Sequence, residues 1–167
     1  GYHMNTRLGT TNTALGTTNT ALGTTENQRR ANYAVQASLV IGGVAVAGLA
    51  FDVYLLTQTQ VWQILVSAGT LLGLAAASLV GVRLARRGRT DLSAWLSIAA
   101  VLFAVLVHSV LIAGAGLPLG AAAFVAILAI TLLALSPRWT NSAILLGVVG
   151  AFLAGLFDLQ DLPFTLH

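Results

Sequence analysis

The apolar positions of this chain follow neither the alternation of a half-buried strand nor the single stripe of a soluble helix. From Tyr33 onward they form runs of roughly 17 to 25 residues, the length that a hydrocarbon core requires. The runs break at Gln58-Thr59-Gln60, at Arg83 to Arg89, at Gly116-Leu117-Pro118 and at Ser136-Pro137-Arg138-Trp139. The pattern predicts an all-α, polytopic membrane protein. It is a five-transmembrane-helix bundle with spans at about 33–56, 61–84, 92–115, 117–135 and 142–158. Pro118 suits the first turn of the fourth helix, where a missing N–H is no loss. Asp91 is placed to cap the third helix, and Asn141 or Ser142 the fifth.

Residues 1–28 form a polar tail ahead of the membrane domain, 29–167. Gly1-Tyr2-His3-Met4 reads as a tag scar with the native start at Met4, which removes His3 from functional consideration. Leu8-Gly-Thr-Thr-Asn-Thr-Ala14 then repeats as Leu15 to Ala21 and starts again at Leu22. Leu8, Leu15 and Leu22, with Ala14 and Ala21 before the later two, could line a narrow helical seam. Thr, Asn and Gly are weak helix formers, however, and each heptad has only one strong apolar position. The expectation is a flexible or loosely helical tail, with a coiled coil as the alternative.

Charge orients the spans. The chain contains 8 basic residues, all of them arginine. Arg7, Arg29, Arg30, Arg83, Arg86, Arg87, Arg89 and Arg138 fall on one side of the predicted topology, and the opposite turns contain none. The positive-inside rule then puts the N-terminus in the cytoplasm and the C-terminus outside, in a multi-pass protein of the cell inner membrane. Tyr33, Trp95 and Trp139 fall at the inner boundary, Tyr54 and Trp62 at the outer one, as interfacial aromatics do. Only 8% of residues are charged, against about 25% in a soluble domain. Orientation accounts for the arginines, so no nucleic-acid partner is expected. The absence of cysteine excludes a disulfide or thiolate nucleophile, and the absence of lysine excludes a Schiff base.

Two stripes of small residues recur at i+4: Gly69, Gly73, Ala77 and Gly81 in the second span, and Gly147, Ala151 and Gly155 in the fifth. Close backbone approach is a main source of attraction between lipid-solvated helices. The stripes serve packing within the bundle or a dimerisation face. The expected partners are the lipid bilayer and, through such faces, a second copy or other transmembrane helices.

Three ionisable residues lie within or at the ends of spans on the outer side: Asp52, His108 and Asp158. Along straight helices they lie roughly 33, 28 and 30 Å beyond Arg30, Arg89 and Arg138, and so at similar depth. They are either hydrated at the interface or gathered into one polar pocket. As neighbours, the carboxylates would favour the imidazolium, whereas burial in lipid favours the neutral ring. Such a histidine could respond to external pH. One histidine and two carboxylates make a thin metal set, and the only methionine, Met4, lies outside the membrane, so no haem ligand pair is expected. No phosphate loop, nucleophile elbow or HExxH is present. Neither an enzyme nor a cofactor is expected.

Four segments carry a resemblance: Arg29-Arg30-Ala31-Asn32-Tyr33, Phe51-Asp52-Val53-Tyr54-Leu55, Arg86-Arg87-Gly88-Arg89 and Leu156-Phe157-Asp158-Leu159. Over about Arg29 to Leu166 the chain resembles the N-terminal membrane regions of bacterial sensor proteins, of the sensor histidine kinase type with GAF or HAMP modules. The resemblance implies a signal-input module, with a sixth span and a cytoplasmic effector following, and it carries over no catalytic residue. The alternative is a small transporter or an accessory subunit of a membrane complex. A transporter would show an inverted repeat and helices interrupted near mid-bilayer, neither of which is visible.

Overall fold

The computed structural model describes the backbone of residues 8–59, 61–112 and 114–159, and side chains from residue 25 onward except at 158. The elements are α1 (Leu8–Thr59), α2 (Trp62–Arg86), α3 (Thr90–Leu111), α4 (Gly116–Ala134), a 3-10 turn (Pro137–Trp139) and α5 (Thr140–Asp158). All five α-helices are long and apolar enough to cross a membrane.

The first difference from expectation is α1. It runs for 52 residues, from the heptad segment through the whole first span. No proline interrupts this stretch, and a helix already nucleated in the span extends one hydrogen bond at a time. The weak propensities of Thr, Asn and Gly each cost only a fraction of what nucleation costs. Side chains of residues 8–24 lie outside the described residues, so the seam of Leu8, Leu15 and Leu22 does too.

The arginine turn is very short. Gly88 adopts φ +77°, donates its N–H to Ala85 O at 3.0 Å, and Arg89 donates to Leu84 O at 2.9 Å. This pair of bonds closes the end of α2 around a left-handed residue, and glycine adopts that conformation without a Cβ penalty. Neither expected cap is used. Asp91 lies inside the first turn of α3, whose cap position is Arg89, and Asn141 and Ser142 lie inside α5, which begins at Thr140. Asp91 is instead drawn into a tertiary contact that a capping geometry would forgo. At the other end, α3 stops at Leu111, short of residue 115, and Gly114 turns the chain at φ +76°.

The central helix is α3, which packs against α1, α2, α4 and α5. Ile98 and Ile127 are fully buried between α3 and α4, and Ala34, Ala94, Leu102, Ala134 and Ala143 close around them. The distribution of polarity is inverted relative to a water-soluble bundle. Ser38, Ser67, Ser78, Ser93, Ser97, Ser109 and Thr131 are buried, while Leu39, Val44, Phe103, Val125, Leu132 and Phe152 are exposed. Buried hydroxyls are mostly satisfied within the bundle: Ser78, Ser109 and the likewise buried Thr70 donate to the carbonyl four residues earlier, at 2.7 to 2.8 Å, whereas Thr131 Oγ1 has no partner among the described residues.

Small residues bring the helices together in only part of each stripe. A Cβ on Gly81 would stand 2.8 Å from Ser38 Oγ, and Ser93 Oγ donates to Gly81 O at 2.8 Å. Here α1, α2 and α3 meet. A Cβ on Gly147 would stand 3.1 Å from Ile127, and one on Gly120 of α4 would stand 3.0 Å from the carbonyl oxygen of Ala151. A Cβ on Gly69, Gly73 or Gly155 would meet nothing of another helix within 4 Å. The geometry of a helix explains the difference. Each i+4 step overshoots a full turn by about 40°, so the stripe swings through roughly 120° between Gly69 and Gly81. One partner helix cannot follow it.

Candidate functional site

Two polar clusters occupy opposite ends of the bundle. At the arginine end, Asp91 joins three parts of the chain. It accepts from Arg30 Nη2 of α1 at 2.7 Å and from the backbone N–H and hydroxyl of Ser136 at 2.9 and 2.8 Å, with Arg138 at 3.6 Å. Arg30 also donates to Ala134 O at 3.2 Å. The Arg138 guanidinium lies 5.5 Å from the Trp139 ring centre, and Trp139 meets Trp95 edge to face at 6.1 Å. Arg29 pairs with Glu26 at 2.8 Å, and Arg83, Arg86, Arg87 and Arg89 are exposed. The cluster ties α1 and α3 to the turn between α4 and α5, which is a structural role.

The opposite end contains the candidate site. Asp52 of α1, Ser67 of α2 and His108 of α3 form one hydrogen-bonded chain. Ser67 Oγ lies 2.5 Å from Asp52 Oδ2 and 2.8 Å from His108 Nε2, and His108 Nδ1 lies 2.7 Å from Ala104 O. Asp52 and Ser67 are buried, and His108 is half-buried. The chain forms because α1 and α2 make a tight antiparallel hairpin, in which Asp52 and Ser67 are nearly equidistant from the turn. The last full turn of α3 brings His108 to the same level.

Proton bookkeeping follows from the partners. A carbonyl oxygen only accepts, so Nδ1 bears a hydrogen. The two remaining bonds need two hydrogens among Asp52, Ser67 and His108 Nε2. They are supplied either by a carboxylate with an imidazolium or by a carboxylic acid with a neutral ring. The two forms differ by a concerted shift through the Ser67 hydroxyl and carry the same net charge.

These residues end a cavity of about 610 Å³, within the usual size of small-molecule sites. Among the described residues that line it, Asp52, Ser67 and His108 are the only polar side chains; the rest of the wall is apolar, from Ile41, Leu71, Val101, Ala123 and others on α1 to α4. Val40, Val44 and Phe51 of α1 and Ala122 of α4 line it and are also exposed on the bundle surface, so the cavity opens on the flank between α1 and α4.

Of the three residues singled out in the sequence, the structure thus joins Asp52 and His108. Asp158 ends α5, and its side chain lies outside the described residues. Sequence reading missed Ser67, the link between them. Its equal spacing from the hairpin turn was the available signal. It also missed that Asp91 is an ion-pair partner. No group of three or more His, Asp or Glu among the described residues could hold a metal ion. The order of bonding also differs from that of a nucleophilic triad, in which the carboxylate holds Nδ1 and the serine meets only Nε2. Here serine is the middle member and a helix carbonyl holds Nδ1. Compared with known proteins, the chain matches no family model, no curated protein and no solved structure.

Proposed function

We propose that this chain is the membrane-embedded input and anchoring region of a bacterial signalling protein, with no catalysis of its own. It is a multi-pass inner-membrane protein with the N-terminus and arginine end in the cytoplasm and the Asp52–Ser67–His108 end outside. Its exposed leucines, valines and phenylalanines, its buried serines and its one-sided arginines all support a bilayer as its solvent.

The observation that carries the input reading is where Asp52 sits. The ionisable chain closes an apolar pocket open to the flank, and its carboxylate belongs to α1, the helix that continues past the arginine end to Leu8. A stimulus that favours one arrangement of the pocket shifts α1 against α3, and α1 extends that shift to the opposite side. Only a difference in affinity between two arrangements can drive such a shift. Couplings of this kind are typically about 1–3 kcal/mol, or roughly 5- to 150-fold in affinity.

The test uses spin labels on exposed positions near the arginine end, Asn32→Cys on α1 and Leu92→Cys on α3, in liposomes. Asp52→Asn removes the charge from the chain and is expected to change the interlabel distance distribution. Identical distributions in wild type and variant, across pH, would remove the input reading.

A second reading, an accessory subunit of a membrane complex, is favoured by Gly69 and Gly73. Both are exposed on α2 with open space beside them, as a helix face awaiting a partner helix would be. Gly73→Cys crosslinked in native membranes would then capture a different membrane protein, whereas lipid contact alone gives no adduct.

A further inference from the structure

Beyond serving as an input, the pocket has a chemistry that selects its occupant. We propose that it takes a lipophilic cation: an apolar body with one positively charged head, which settles against Asp52 of the Asp52–Ser67–His108 chain. This inference rests on the input reading for its biological meaning, but not for the binding itself.

Charge balance in the pocket is the first ground. With both shared hydrogens present, the chain is neutral in either form. Removing one leaves a carboxylate, a neutral imidazole and a single hydroxyl hydrogen to serve both. That state is a net negative charge in an apolar wall, where an uncompensated ion is costly. A monovalent cation restores neutrality one for one. Ser67 uses only Oδ2 of Asp52, so the second carboxylate oxygen, in a residue that lines the cavity, is the acceptor for the head.

The second ground is that no arginine among the described residues competes. Among the described residues, every arginine lies at the other end of the bundle, and Arg30 and Arg138 are engaged with Asp91 there. Facing Asp52 from α2 is Ser67 and from α3 His108, while α4 contributes Leu119, Ala122, Ala123 and Ala126 to the same cavity. Tyr54, on α1 itself, is exposed on the surface. The third ground excludes the opposite charge. An anionic head needs hydrogen-bond donors, and both ring nitrogens of His108 are already committed, to Ala104 O and to Ser67.

The probe is octylammonium, whose primary ammonium can donate to the second carboxylate oxygen of Asp52, with octyl sulfate as the anion of matching length, added to the purified full chain in detergent and followed by calorimetry. The expected result is saturable binding of the cation alone. Asp52→Asn should abolish it. Ala122→Trp, at an exposed position on the cavity rim, should abolish binding while leaving the helical fold intact by circular dichroism. Equal binding of both probes or wild-type affinity in Asp52→Asn overturns the proposal, as does no binding of the cation. The spin-label distances separate the two ideas. Distances that respond to Asp52→Asn without cation binding leave an input site for a neutral ligand or a proton. Cation binding with unchanged distances leaves a binding site that transmits nothing.

Discussion

Removing the Asp91 carboxylate perturbs the fold where three separate parts of the chain are tied. Asp91→Ala deletes the acceptor for Arg30 at 2.7 Å and for two Ser136 donors at 2.9 and 2.8 Å. A hydrogen bond to a charged group contributes about 1.5–3 kcal/mol when buried. Asp91 is 28% exposed and Arg30 16%, so solvent screening puts each bond at the lower end of that range. The bonds share one acceptor and do not add fully. The Arg30 guanidinium also loses its ion partner while remaining largely buried, a penalty of the same sign. The sum is a destabilisation of about 2–4 kcal/mol. Reversible unfolding in mixed micelles of mild detergent and dodecyl sulfate measures it. Asp91→Asn keeps an acceptor for Ser136 and should lose about half as much. A double-mutant cycle of Arg30→Ala with Asp91→Ala should give a coupling of about 1–2 kcal/mol. A loss within about 0.5 kcal/mol of wild type, or a cycle that closes to zero, would refute the assignment of Asp91 as the tie between α1, α3 and the α4–α5 turn.

Two further predictions concern packing and orientation. Gly120→Leu drives a side chain against the Ala151 carbonyl, where backbone has to move, and should destabilise by about 1–3 kcal/mol; Gly73→Leu, with nothing within 4 Å, should stay within about 0.5 kcal/mol in the same unfolding assay. The chain has no cysteine, so single cysteines report cleanly on side: a membrane-impermeant maleimide added outside intact cells should label positions 59 and 116 and spare 88, and the reverse pattern would invert the proposed topology.

The helices were readable because their cause is local. A run of apolar residues long enough for a bilayer is visible in any window of the sequence, and so are Gly88 and Pro118 at its interruptions. The depth of Asp52 and His108 was readable for the same reason, since rise per residue needs no tertiary information. Contacts between helices were not. Asp91 looked like a cap because a carboxylate at a helix start is most often one. Its actual partners, Arg30 and Ser136, are 61 and 45 residues away in sequence. Ser67 is one of many serines in the spans. Its importance comes from α1 and α2 folding back on each other and from α3 crossing both. The small-residue stripes failed partway along for a geometric reason already visible in the helix repeat: the 40° drift takes Gly69 and Gly73 out of a contact that Gly81 makes.

Everything proposed for the pocket converges on the hydrogen-bonded chain from Asp52 through Ser67 to the His108 ring. Nitrogen-15 NMR of the labelled ring in micelles reads that chain directly, because the two ring nitrogens report separately on their hydrogens. The geometry predicts a hydrogen on Nδ1 throughout, bonded to Ala104 O at 2.7 Å, and an Nε2 signal that shifts in both Ser67→Ala and Asp52→Asn. A neutral ring with Nδ1 bare, or an Nε2 signal unchanged in both variants, would contradict it.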